Sequence, residues 1–345
     1  MDPDTEKIFE PELDPAPREG EPGQERSLRP GRLDDFVGQE ELRRSLEILI
    51  GAARMRKEPL EHLLFYGPPG LGKTTLAHLL AEEMGAPMVG TSGPALERAS
   101  DLVGLLTGLA PGAILFVDEI HRIPRVVEEY LYSAMEDFRL DVVLDRGAAA
   151  RSVRLTLSPF TLVGATTRIG LLTAPLRGRF GFTAHLDFYP PEDLAAILAR
   201  SARILAIALT EEGAREIALR SRGTPRIANR LLRRARDYAQ VREAARIDAG
   251  VAAEALALLA IDDRGLHEMD RRLLRAIIEK FQGGPVGVAT LAAVLGEEPD
   301  TIEDLLEPFL IQQGLIERTR RGRAVTRGAY EALGLAPRDP QDRLL

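Results

Sequence analysis

At 345 residues, with 45% hydrophobic and 28% charged side chains, the chain is long enough for two or three domains with their own cores and has an ordinary globular composition. The absence of Cys excludes disulfides, thiolate chemistry and Cys-based zinc sites, and no apolar run approaches the roughly 20 residues of a membrane span. The net charge of −8 does not mark a nucleic-acid binder, but residues 1–25 hold nine acidic against two basic side chains, so the rest is nearly neutral and has room for basic patches.

Residues 1–26, proline-rich as well as acidic, are predicted to be a disordered tail. Their charged start is not a secretory signal, and with the lack of Cys this predicts a cytoplasmic protein with no membrane association. Over residues 27–189 apolar strand-like runs alternate with helical stretches, the pattern of an α/β domain with a parallel sheet and covering helices.

Within that domain Leu63-Leu-Phe-Tyr66 leads into Gly67-Pro-Pro-Gly70-Leu-Gly72-Lys73-Thr74-Thr75, and a helical stretch follows to Met84. This matches the phosphate-binding loop G-x-x-x-x-G-K-[ST] in its required context of strand, loop and helix. The three glycines let backbone N–H groups close on phosphates, Lys73 can reach the β- and γ-phosphates, and the Thr74 hydroxyl can hold Mg²⁺. An empty glycine turn is the alternative, and Lys-Thr in register after a strand argues against it. The expected ligand is ATP with Mg²⁺.

Ile114-Leu-Phe-Val117 reads as a strand buried on both faces and ends in Asp118-Glu119. Asp118 is placed to take the metal from its second side, and Glu119 to act as general base toward an attacking water. Hydrolysis, not binding alone, is the expected purpose.

Residues 140–157 read as a β-hairpin, with Val142 and Leu144 alternating on one arm and Val153, Leu155 and Leu157 on the other. Its apolar face either packs on its own domain or docks a partner through Val153 and Leu155. Phe160-Thr-Leu-Val163 is a further buried strand, ending in Gly164-Ala-Thr166-Thr167-Arg168. There Thr166 could bond a γ-phosphate or water, or merely satisfy a loop backbone. In Leu176-Arg-Gly-Arg179-Phe-Gly181, Arg179 could reach a neighbouring subunit's γ-phosphate.

Tyr189-Pro-Pro-Glu-Asp193 marks a boundary, and residues 190–261 show helical spacing (Leu194, Ile197, Leu198; Ile227, Leu231, Leu232), predicting a small all-helical domain. Its Gly223-Thr-Pro-Arg226 puts Arg226 at a helix start. Residues 262–336 offer helices at Asp270–Phe281, Val288–Leu295 and Thr301–Gln312. Two short strands then flank an arginine-rich turn, Arg320-Arg321-Gly322-Arg323. That is the plan of a winged helix, and Arg318, Arg320, Arg321 and Arg323 are candidate phosphate contacts for DNA. Residues 337–345 form a tail.

In this order the chain resembles the AAA+ ATPases, and among them the RuvB family of Holliday junction branch-migration motors. The resemblance runs from about Leu28 to Leu335. It rests on Leu28-Arg29-Pro30, Asp35-Phe-Val-Gly38-Gln39, the phosphate loop, Asp118-Glu-Ile-His121-Arg122, Ala134-Met-Glu-Asp137, Gly164-Ala-Thr-Thr-Arg168, Pro175-Leu-Arg-Gly-Arg179-Phe-Gly181, Gly223-Thr-Pro-Arg226, Gly283-Gly-Pro-Val286 and Leu305-Leu-Glu-Pro-Phe-Leu-Ile-Gln-Gln313.

The resemblance implies that Leu28, Arg29 and Tyr189 line the adenine pocket, and that Gly70, Lys73, Thr74 and Thr75 hold phosphates. It makes Thr166 sensor 1, Arg179 a trans-acting arginine finger and Arg226 sensor 2, and it places Glu136, Asp137 and Phe138 near the nucleotide at a subunit interface. The hairpin would dock the junction-binding protein RuvA, and Arg318 and Arg323 would contact DNA. The expected assembly is a homo-hexameric ring on duplex and four-way junction DNA, with the resolvase RuvC in a larger complex.

Two features depart from the family pattern: Pro299 stands where many relatives carry an arginine before the third winged helix, and Leu144-Asp-Arg-Gly147 differs at the hairpin turn. A clamp loader or an origin-binding initiator shares the ATPase core, but the inserted hairpin and the Gly-Gly-Pro-Val and Leu-Ile-Gln-Gln stretches favour the motor.

Overall fold

The computed structural model describes residues 28–143 and 152–336, and the chain divides into two compact units, one spanning Leu28–Asp187 and the other running from Phe188 onward.

The first unit is built on five short strands: β1 (Leu63–Tyr66), β2 (Met88–Ser92), β3 (Ile114–Asp118), β6 (Thr161–Thr166) and β7 (Phe182–His185). They pair in the order β2-β3-β6-β1-β7, every pair parallel. The residues of β6 are buried throughout and those of β3 up to Asp118, as expected for strands covered on both faces. β6 lies between β1 and β3, although β2 and β3 precede it in the chain. Register then brings the functional ends level, with Tyr66 beside Thr166 and Ser92 beside Asp118. The expected α/β sheet with covering helices is what forms.

Helix α1 (Glu40–Arg56) precedes β1, and α2 (Lys73–Met84), α3 (Ala99–Thr107) and α4 (Arg125–Asp137) lie between successive strands. α4 buries Val127, Leu131, Ala134 and Met135, spaced i, i+4, i+7 and i+8, in a core shared with Leu115, Val117 and Phe160. Each fully buried Leu there contributes about 1.5–3 kcal/mol of transfer free energy.

Between α4 and β6, β4 (Arg139–Val143) and β5 (Ser152–Thr156) pair antiparallel. Leu140 is fully buried and the facing Leu155 is half-buried against the main core, whereas Val153 is exposed. Leu155 therefore packs largely on its own domain, and Val153 is the outward member of the docking pair read from sequence. The turn of the hairpin lies outside the described residues.

The second unit begins with four helices, Pro191–Ile204, Glu211–Leu219, Pro225–Val241 and Ala249–Leu258, whose inward faces carry Leu194, Leu198, Ile217, Leu231, Leu232 and Leu256. A winged helix follows. Its first helix runs from Glu268 and passes into a π-helical turn at Ala276–Lys280. The second is Val288–Leu295. The third is broken into Pro299–Thr301, a π-helical turn at Ile302–Leu306, and Glu307–Gln312. Strands β8 (Ile316–Thr319) and β9 (Gly322–Val325) form the wing.

The wing corrects the sequence reading in one respect. The turn between its strands is shorter than Arg320-Arg321-Gly322-Arg323, and Arg323 is a strand residue directly opposite Arg318. The reason is a pairing distant in sequence. Val286 bridges Arg323, donating to its carbonyl at 2.9 Å and accepting its N–H at 2.8 Å, which draws Arg323 into a third, short rung of sheet. Gly284 makes this possible: at φ 90° any Cβ there would strike the Arg323 carbonyl.

Candidate nucleotide-hydrolysis site and wing

The phosphate loop leaves β1 at Gly67 and enters α2 at Lys73. Gly67, Gly70 and Gly72 have φ of 137°, 80° and 104°, values closed to ordinary side chains, and a Cβ on Gly67 would lie 2.5 Å from the Leu186 carbonyl. The Gly67 N–H donates to the Thr166 carbonyl at 3.2 Å, tying the loop to the end of β6. Lys73 is buried, and its ammonium donates to the Gly67 and Pro68 carbonyls at 2.7 Å each. No side chain caps α2, because its N-cap is Gly72. The first-turn N–H groups and the helix dipole at this end are thus directed at whatever the loop encloses, the arrangement an anionic phosphate needs. The residues fit the ligand their motif implies.

Two strands away, Asp118 closes β3 and its Oδ1 accepts the Glu119 N–H at 2.9 Å. Glu119 holds φ 47°, a left-handed conformation costing roughly 1–3 kcal/mol for a non-glycine residue. Its carbonyl presses on Gly93, where no Cβ would fit. The Glu119 carboxylate accepts from Arg122 Nη1 at 2.9 Å across a single short turn. Thr166, at the end of β6, is buried; its hydroxyl lies 2.9 Å from His121 Nδ1 and accepts the Arg168 N–H at 3.0 Å. Both uses foreseen for Thr166 are therefore open: it satisfies the loop backbone and still sits at the strand end nearest the phosphate loop. His121 and Arg122 enter the sequence reading only within a segment of the family resemblance, with no chemical role; the three-residue turn after Glu119 is the signal that could assign them one.

Arg179 is packed on the face of Tyr132, with its guanidinium carbon 4.4 Å from the ring centroid. It pairs with Glu136 at 3.1 Å and donates to the Pro175 carbonyl at 2.8 Å. Burial pushes the Tyr132 phenol up, and the neighbouring Glu128 and Thr173 share its hydrogen bond. Two residues grouped from sequence, Arg179 and Glu136, thus meet within one chain, with Asp137 exposed beside them. Phe138 behaves differently. It packs edge-on against His62 and Phe160, facing the core. His62 is buried with both ring nitrogens used, one near the Met135 carbonyl at 3.0 Å and the other accepting the Leu162 N–H at 2.9 Å. Burial lowers its pKa, so it is a neutral strut between the sheet and the end of α4.

Leu28 is buried and Arg29 half-buried in the first unit. In the second, Tyr189 is buried with its N–H on the Gly223 carbonyl at 2.8 Å, and Arg226 is exposed in the first turn of Pro225–Val241.

On the wing, Arg318, Arg320 and Arg321 are exposed, but Arg323 is only 7% accessible. Like charges directly opposite on a strand pair repel. Here two carboxylates of the third helix absorb the repulsion: Glu303 Oε1 accepts from Arg318 at 2.8 Å and from Arg323 at 2.6 Å, while the buried Glu307 engages Arg323 through both oxygens. Arg323, a candidate DNA contact from sequence, is thus buried and bound to carboxylates in this chain. It is a braced residue at the base of the wing.

The comparisons with known proteins agree along the whole body. Residues 28–186 match the model of the Holliday junction DNA helicase RuvB P-loop domain, 189–262 the RuvB AAA lid domain and 263–334 the RuvB C-terminal winged helix domain. The Holliday junction branch migration complex subunit RuvB of Parafrankia sp. (strain EAN1pec) is 58% identical over 317 residues, covering 92% of this chain and 90% of that protein.

The chain belongs to the RuvB family.

Among solved structures, the Thermotoga maritima RuvB Holliday junction branch migration motor superposes with TM-score 0.83 at 48% identity, over 90% of this chain and 99% of that one. A mutant of the same protein gives TM-score 0.84 at 48% identity, over 89% of this chain and 99% of that one. As a RuvB-family protein the chain is a nucleotide-binding AAA+ P-loop ATPase. Among the described residues, no helix is long and apolar enough to cross a membrane.

Proposed function

We propose that this protein is an ATP-driven DNA translocase that powers branch migration of Holliday junctions in recombination and repair. It would work in the cytoplasm as a homo-hexameric ring on duplex DNA, with a RuvA partner docked near Val153 of the hairpin and RuvC in the larger assembly. The observation that supports this most is the meeting of the Lys73 loop, the Asp118-Glu119 strand end and Thr166 at one edge of the sheet, in a chain that also carries a wing with exposed arginines.

In this reading Leu28, Arg29 and Tyr189 hold the adenine, while Gly67, Gly70, Gly72, Lys73, Thr74 and Thr75 hold the phosphates. Thr74 and Asp118 hold Mg²⁺, which when bound neutralises charge between the β- and γ-phosphates. Glu119 takes the proton as water attacks the γ-phosphorus and the bond to the β–γ bridging oxygen breaks. Thr166 orients that water or a γ-oxygen. Arg179 serves a neighbouring subunit's site, beside Glu136 and Asp137, and Arg226 reports the γ-phosphate to the lid. Arg318, Arg320 and Arg321 grip phosphates of the duplex, and Arg323 supports them. Pro299 contributes no cationic contact.

The deciding experiment is ATP-dependent dissociation of a synthetic four-way junction, with and without RuvA. Dissociation by the parent and none by Glu119→Gln supports the motor. Junction binding with ATP-dependent assembly but no strand dissociation would instead favour a clamp-loader or initiator type of switch.

A further inference from the structure

Arg222 stands immediately before the Gly223-Thr-Pro-Arg226 turn of the lid, and its side chain turns away from that turn toward the winged helix. Its backbone holds φ 53°, a left-handed conformation that a non-glycine residue keeps only where its surroundings over-determine it. The side chain is 4% accessible. One Nη2 donates to Asp270 Oδ1 at 3.2 Å and to the Leu305 carbonyl at 3.3 Å, and the guanidinium carbon lies 4.3 Å above the Phe309 ring. Asp270 is fully buried on the first helix of the winged helix, where it also accepts the His267 N–H at 2.8 Å. Leu305 belongs to the π-helical turn Ile302–Leu306 and Phe309 to the helical segment after it. The same broken helix supplies Glu303 and Glu307, which hold Arg318 and Arg323.

This geometry does more than join two domains. The Tyr189 N–H bonds the Gly223 carbonyl, so the residue after Arg222 also anchors the segment that enters the lid. Gly223 itself, at φ 68°, has no room for a Cβ against Phe188. The lid turn is pinned on one side by backbone and on the other by the Arg222 fork. Burial disfavours the charges of both Arg222 and Asp270; their mutual attraction opposes it, with the His267 N–H and Arg271 helping on the Asp270 side. Such a pair is weak evidence of stability, since apolar side chains of similar volume often do as well, but it fixes one register strictly. π-helical turns in helices recur at functional sites, and this one itself carries both Leu305, which Arg222 contacts, and Glu303, which holds the wing arginines.

We propose that Arg222 is a positioning residue that carries the state of the lid's nucleotide-sensing turn to the DNA-gripping wing, through Asp270, Leu305 and Phe309. The proposal rests on the functional reading above. It distinguishes Arg222 from Arg226, which faces solvent at the start of the next helix, and from the surface arginines of the lid. Lys could keep the charge at this position but not the planar guanidinium that stacks on Phe309 while its Nη2 reaches Asp270 and Leu305.

The test uses the full-length protein and compares Arg222→Met/Asp270→Leu, Arg222→Lys and the parent. Three quantities are read: thermal midpoint, ATP hydrolysis with and without linear duplex, and the ratio of duplex Kd measured with ADP to that with a non-hydrolysable ATP analogue. The expected result for the apolar pair is a folded protein whose hydrolysis without DNA stays within about twofold of the parent. Its stimulation by duplex should fall at least about fivefold and its Kd ratio approach unity, the loss of a coupling of the usual allosteric size. Arg222→Lys should fold and lose most of the same coupling. If either folded variant keeps the parental stimulation and Kd ratio, Arg222 is only glue between domains and the proposal is overturned. Should the apolar pair not fold, Arg222→Lys decides alone. A parent that shows no stimulation by duplex would sink the translocase reading itself, and this proposal with it.

Discussion

The nucleotide end of the sheet and the base of the wing both bring charged side chains together, but by opposite means. At the sheet edge, backbone does the positioning. Three glycines at positive φ, a strained Glu119 and an uncapped helix start bring backbone N–H groups and polar side chains to one end of the sheet. At the wing, side chains position one another. Arg318 and Arg323 face each other across two strands and are held by Glu303 and Glu307 before any ligand arrives. The first region is prepared for a compact, highly charged ligand that stays through a reaction. The second is self-compensated, and any polyanion bound there would compete with internal carboxylates. A motor benefits from both, since it must hold its fuel firmly and release its track at every step.

That contrast can be broken most severely at Arg179. If it completes a neighbour's site, Arg179→Ala should lower ATP turnover by roughly 10³–10⁵. Mixing it with Lys73→Ala subunits should restore some active interfaces, and rings shown to co-assemble with no activity above either parent would place the arginine in its own subunit's chemistry instead. Next in size is Glu119→Gln, for which single-turnover hydrolysis should fall about 10²–10⁴-fold while nucleotide binding persists, because Thr74 and Asp118 remain.

The wing should respond more gently and in both directions. Arg318→Ala/Arg323→Ala should weaken duplex binding alike for every sequence, and the log–log salt dependence should flatten by about one unit for each DNA phosphate no longer neutralised. Glu303→Gln should do the reverse, raising duplex affinity by up to about fivefold, the range of an exposed ion pair. Salt titrations of the variants decide both, and a Glu303→Gln protein that binds more weakly would mean the carboxylate shapes the wing without competing for it.

The last effect is on pH. His267 is buried among Arg222, Arg230 and Arg271, and burial with those charges lowers its pKa to about 3. Its folded value lies below the unfolded one, so its contribution is complete above about pH 6.5 and is lost as pH falls toward 3. Between those values the unfolded chain binds the extra proton, and stability should decline by about 1.4 kcal/mol per pH unit. Asp270, whose carboxyl burial pushes up against the pull of Arg222 and the His267 N–H, has the opposite sign and offsets part of this as pH falls toward the ordinary carboxylate range. Denaturant melts of parent and His267→Gln between pH 7 and 5 should differ in slope in that sense.

The same contrast governs what could be read from sequence. The phosphate loop, Asp118-Glu119 and the Thr166 strand end are legible because their geometry is local: a strand, a glycine run and a helix start follow one another in the chain. The α/β sheet and the helical and winged-helix layout follow from hydrophobic period for the same reason. Pairings between distant segments were not legible. Arg323 looks like a turn residue until Val286 draws it into a strand. Phe138 looks like part of an interface segment until His62 and Phe160 receive it. Leu155 looks exposed until the main core covers it. His121 and Arg122 stand only inside a segment of the family resemblance and Arg222 in none, and none is given a role there, because what matters about each is the atom it reaches.

The central place of β6 sets how the length of this chain can change. β6 hydrogen-bonds β1 on one side and β3 on the other, so Gly67, Asp118 and Thr166 depend on the two registers that join these three strands. One residue added within any of these strands would invert every following side chain to the other face. One residue added to a crossover or the hairpin tip adds only a small loop-closure entropy, about 0.6 kcal/mol for a full doubling of loop length. Lengthening is therefore confined to the segments outside those strands, and the three strands can be altered in composition but not in count.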